Sequence, residues 1–68
     1  MITLDARGLS CPEPLLMATE AVRKNPGETV RITVSTQNAK ENIERMAAKY
    51  GKTVDVQVVK PDYVITIK

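Results

Sequence analysis

The sequence predicts an α/β two-layer sandwich in the order β-α-β-α-β-β, a four-stranded mixed sheet with two helices on one face. Three observations carry that expectation. Four stretches alternate apolar and polar residues with a period of two. Two longer stretches between them repeat apolar residues at helical spacing. Each alternating stretch keeps one apolar side and one mostly polar side, as expected when helices cover a single face of the sheet.

Residues 1–5 form the first strand, with Ile2 and Leu4 opposite Thr3 and Asp5. A loop follows, in which Gly8 is free to take a positive φ. The first helix runs over residues 12–24. Leu15, Ala18, Thr19 and Val22 mark its apolar face, widened by Leu16 and Ala21. Arg23 and Lys24 suit its negative C-terminal end, and Asn25-Pro26-Gly27 stops it. Residues 29–35 make the clearest strand, with Val30, Ile32 and Val34 on one side. The second helix is expected to start at Asn38 as N-cap, with Glu41 at the third helical position. Ile43, Met46, Ala47 and Tyr50 form its stripe, Gly51 ends it, and Lys40, Glu41, Glu44, Arg45 and Lys49 form a solvated face. Residues 53–59 and 63–68 are the closing strands. The turn Lys60-Pro61-Asp62-Tyr63, with Pro61 at its second position, makes them an antiparallel hairpin. On the open face, Arg31 is expected to pair with Asp55.

Composition narrows the function. Sixty-eight residues leave room for one domain, residues 1–68, with a small core. One cysteine and no histidine exclude an internal disulfide and a conventional Cys/His metal site, so neither metal nor cofactor is expected. No apolar run approaches the ~18 residues of a membrane span, and no leader is expected. A lone thiol fits a reducing cytoplasm. The formal net charge is +2, with basic and acidic residues interspersed, and two tyrosines are the only aromatics. A nucleic-acid partner is therefore not expected.

The thiol lies in Leu9-Ser10-Cys11-Pro12-Glu13-Pro14-Leu15. Proline is tolerated in the first helical turn and destructive further in. With Cys11 as N-cap, Pro12 and Pro14 take the first and third helical positions, and Glu13 N–H is the donor left for the sulfur. The helix dipole favours an anion there by ~0.3–1 kcal/mol when exposed and up to ~2 when partly buried. Arg7 is a candidate for steering an anion to the same place. The thiol is thus expected to ionise more readily than free cysteine. Met17 is weighed as either core filling or a partner contact.

The run Leu4-Asp5-Ala6-Arg7-Gly8-Leu9-Ser10-Cys11-Pro12-Glu13-Pro14 resembles the opening of the TusA/SirA-type sulfur-carrier family, marked by Cys-Pro-x-Pro after a strand and a Gly-Leu. The resemblance covers essentially the whole chain. It implies the strand order 1-2-4-3 and Cys11 as the reactive residue, on a helix-start scaffold of Pro12, Glu13 and Pro14. It also implies a cysteine desulfurase or rhodanese-type protein as sulfur donor, and a downstream acceptor protein. Ser35-Thr36-Gln37 and Lys40-Glu41-Asn42-Ile43 depart from the tRNA-thiolation branch. The run Asn38 to Ala47 is more similar to the branch associated with selenium metabolism or with membrane sulfur transporters, so a transporter is one candidate partner.

A single thiol without histidine or a second cysteine lacks the base of a protease-like nucleophile and the resolving partner of a dithiol enzyme. What remains is a sulfur that receives a group, holds it and gives it up. The resemblance makes that group sulfane sulfur, carried as a persulfide on Cys11 by a relay component rather than a self-sufficient enzyme. Two other classes stay open: a small nucleic-acid-binding module, and a regulatory interaction domain whose cysteine is inert.

Overall fold

The computed structural model describes residues 1–10 and 12–68; Cys11 lies outside the described residues. Six elements follow in the expected order: β1 (Ile2–Ala6), α1 (Glu13–Lys24), β2 (Val30–Val34), α2 (Gln37–Lys49), β3 (Val54–Val59) and β4 (Asp62–Ile67). The sheet order is β1-β2-β4-β3. β1 runs parallel to β2, and β4 is antiparallel to both β2 and β3. The mixed sheet and the two-layer sandwich are as expected.

β2 is central, and alternation decides its burial. Val30, Ile32 and Val34 are fully enclosed, together with Ile65 and Ile67 from β4. The same face carries Ile2, Leu4 and Ala6 of β1, and the helices close over it with Ala18, Val22, Ile43, Met46 and Ala47. α1 packs on β1 and β2, and α2 on β4 and α1.

Several local expectations need correction. α1 buries Pro14, Ala18, Ala21 and Val22, while Leu16 is exposed. At about 100° per residue, Leu16 stands ~160° around the helix from Ala18, so it cannot widen the buried stripe. The cap of α2 lies two residues before the expected one: Thr36 is the N-cap, its hydroxyl accepting Ala39 N–H at 3.1 Å. Asn38 instead accepts Asn42 Nδ2–H within the helix, at 3.0 Å. Gly51 does end α2, at φ +71°, in a paired-bond C-cap: Lys52 N–H donates to Ala47 O at 2.8 Å and Gly51 N–H to Ala48 O at 3.1 Å. Val59 pairs with Asp62, leaving Lys60 and Pro61 as the hairpin loop. Pro61 therefore takes the third turn position, across a cis Lys60–Pro61 bond. Arg31 and Asp55 do not meet, because β4 lies between their strands and Thr66 stands opposite both. Asp55 pairs instead with Lys68, at 3.2 Å.

Candidate functional site

β1 and β2 are parallel and each is followed by a helix, so both helices start at one end of the sheet. Open α/β sheets place ligands outside the carboxyl ends of their parallel strands. Residues 7–10 leave β1 at that end and Pro12 leads into α1, with Cys11 between them in the sequence.

The loop is tied to both parallel strands. Arg7 N–H donates to Asp5 Oδ1 at 3.1 Å. The Arg7 guanidinium then forks onto the same carboxylate, Nε to Oδ1 at 2.9 Å and Nη2 to Oδ2 at 2.8 Å. Gly8, at φ +76°, donates its N–H to Ser35 Oγ at 2.7 Å, just past the end of β2. A positive φ is strained for any residue with a Cβ, so a glycine here lets the chain turn back towards β2. Glu13 N–H donates to Ser10 O at 2.9 Å, and Leu16 N–H to Pro12 O at 3.0 Å begins the helical ladder.

That ladder places Pro12 at the N-cap without a side-chain cap bond, Glu13 first in the helix and Pro14 second. The register is one residue later than expected. Both registers keep the prolines where a helix needs no donor, which is why composition alone could not separate them. The expectation that Glu13 N–H is spare for the sulfur does not stand, since the Ser10 carbonyl holds it. The Arg7 guanidinium is paired with the Asp5 carboxylate. The hydrogen bonds from Arg7 lower the Asp5 carboxyl from the ordinary 3.8 to about 2. The same bond raises the guanidinium's own pKa. The pair fixes the loop's first turn.

Leu9, Ser10, Pro12 and Glu13 are all exposed, so the chain on either side of Cys11 faces solvent. Leu9 is 41% and Leu16 56% exposed, which leaves two large apolar side chains beside the loop. Pro14 is buried and anchors the helix start in the core. Met17 is half-buried against that core and lines a shallow groove with Ile2 and Leu4 of β1.

Two positioning residues escaped the reading of the sequence. Asp5 had a usable signal, an acceptor two residues before an arginine at a strand end. Ser35 had none, because its contact with Gly8 is made only by the fold.

The architecture is that of a SirA-like α/β sandwich. It is similar to the crystal structure of a SirA-like protein from Desulfitobacterium hafniense, with a TM-score of 0.92 and 27% identity over 98% of this chain and 95% of that one. The family model for sulfurtransferase TusA matches residues 2–68, and the chain belongs to that family. Its members serve as sulfur carriers, working between donor and acceptor proteins. No helix among the described residues is long and apolar enough to cross a membrane.

Proposed function

We propose that this protein carries sulfane sulfur as a persulfide on Cys11. The observation that carries the reading is a TusA-family chain whose only thiol occupies the loop residue immediately before the proline that starts α1. The Cys11 thiolate attacks the terminal sulfur of a donor protein's persulfide. A new S–S bond forms on Cys11, the donor's S–S bond breaks, and the donor thiolate leaves with the electron pair. In the second step an acceptor thiolate attacks the terminal sulfur and Cys11 leaves as thiolate. Neither step requires an oxidant or a reductant. The α1 dipole stabilises the anion before and after loading.

The donor is a cysteine desulfurase or a rhodanese-type protein, in a reducing cytoplasm. The run from Asn38 to Ala47 favours an acceptor in selenium metabolism or in membrane sulfur transport over tRNA thiolation. Residues 1–68 act as one carrier domain whose partners supply the acid–base groups.

Incubation with a cysteine desulfurase and L-cysteine, or with a thiosulfate-loaded rhodanese, followed by intact-mass measurement tests the reading. The expected result is a gain of about 32 Da per sulfur, absent from Cys11→Ser. Failure to load from either donor overturns it.

A further inference from the structure

α1 and α2 lie side by side, and a groove of about 360 Å³ runs between them, lined by helix residues and by Tyr50. Asn42, Arg45, Met46 and Lys49 follow one another at i, i+3, i+4 and i+7 on α2, facing Leu15 and Thr19 at i and i+4 on α1. Its floor is apolar. Met46 is nearly enclosed and Leu15 half-buried, while Tyr50 is 46% exposed at one end. The Thr19 hydroxyl is already committed to Leu15 O at 2.7 Å.

The rim is cationic and uncompensated. Elsewhere on these helices lysines are neutralised within a turn, Lys24 by Glu20 at 3.8 Å and Lys40 by Glu44 at 3.4 Å. Arg45 and Lys49 make no ion pair among the described residues. Arg45 Nη2 donates to the neutral Asn42 Oδ1 at 2.5 Å, which fixes the guanidinium at the groove without cancelling its charge.

We propose that this groove docks an amphipathic helix of a partner protein, one whose apolar stripe is flanked by carboxylates. Two parallel ridges with a hollow between them match the side-chain rows of a third helix. The apolar side chains of that helix cover Leu15, Met46 and Tyr50, and its carboxylates meet Arg45 and Lys49. Charge complementarity selects an acidic partner and suppresses a basic one. An apolar floor with two cations and one tyrosine is a poor track for a nucleic-acid backbone. The inference does not depend on sulfur chemistry at Cys11.

The test uses the full chain, ¹⁵N-labelled, and a synthetic helix with leucines at i, i+3, i+4 and i+7 flanked by glutamates. A second helix with the same leucines flanked by lysines and a single-stranded RNA serve as comparisons. Saturable shifts are expected at Leu15, Thr19, Asn42, Met46 and Tyr50 with the glutamate helix. The lysine helix should bind roughly fivefold to tenfold more weakly. The double substitution Arg45→Glu, Lys49→Glu should reverse the preference while circular dichroism stays unchanged. No saturable shift at these residues, equal binding of the two helices, or tighter binding of the RNA would overturn the proposal.

Discussion

The two helices begin in opposite ways. α2 is fastened by its own first residues: Thr36 Oγ1 accepts Ala39 N–H at 3.1 Å, and Thr36 O accepts Lys40 N–H at 3.2 Å. α1 has no side-chain cap, and prolines occupy two of its first positions. A helix start leaves four amides without intrahelical partners. Pro12 and Pro14 remove two of them, and Ser10 O takes a third from Glu13. What holds α1's start is therefore mostly tertiary, buried Pro14 and the Gly8–Ser35 bond, with the local Arg7–Asp5 fork in the loop before it. At α2 the capping position carries a stabilising side chain. At α1 it carries proline, and the residue ahead of it is the chain's only thiol. One start is held by its own capping side chain, the other by contacts from outside the helix.

This contrast can be broken at four places. The largest effect is expected in the core beneath both helices. Ile43 is fully buried, and Ile43→Ala should cost ~2–5 kcal/mol in urea unfolding, much of the total for so small a fold. A loss under ~1 kcal/mol would mean that this core does not hold the helices.

Thr36→Ala should cost ~0.5–2 kcal/mol and leave sulfur loading of Cys11 at the wild-type rate. A loading defect in this variant would erase the distinction between the two helix starts. Ser35→Ala should show the converse pattern. Loss of the Gly8 bond costs about 0.5–1.5 kcal/mol, and the rate of Cys11 alkylation shifts because the loop is no longer tied to β2. Equal alkylation rates in Ser35→Ala and wild type would show that this bond does not position the loop.

The smallest effect concerns pH. The Asp5 carboxyl titrates at about 2 in the folded protein against an ordinary 3.8. Its contribution to stability is full above the ordinary value and disappears as pH falls towards 2. Both side chains are exposed, so the effect is small and weakens with salt. Acid unfolding of Asp5→Asn should lack that component; identical acid profiles for variant and wild type would remove the fork's role.

Most of the fold was legible because period-two alternation and helical spacing each point to one solution. The strands with buried Ile32 and Ile65 were readable from spacing alone. The errors fell where two residues of equal propensity competed or where a contact is non-local. Thr36 and Asn38 are both good caps, and Glu41 three residues after Asn38 mimicked a capping box. In the fold Thr36 takes the cap, accepting Ala39 N–H, and Glu41 accepts from Gln37 Nε2 instead, at 2.9 Å. Leu16 was assigned inward for its hydrophobicity, although its angular position opposes Ala18. Arg7 was weighed for steering an anion without its partner, Asp5, two residues back on a strand end. At the site, the helix start was read one residue too early, with Pro12 inside the helix rather than at its cap. Asp5 could have been found from its spacing to Arg7, whereas the contact of Ser35 with Gly8 became visible only once β1 and β2 stood side by side.

Following the sulfur tests the central claim most directly. Protein loaded by a cysteine desulfurase is freed of donor, given a small thiol, and weighed as the reaction proceeds. The account predicts that the added mass leaves Cys11 for the thiol, and that the unloaded chain returns intact and reloadable. A chain that never loads, or one whose added mass no thiol can remove, would contradict it.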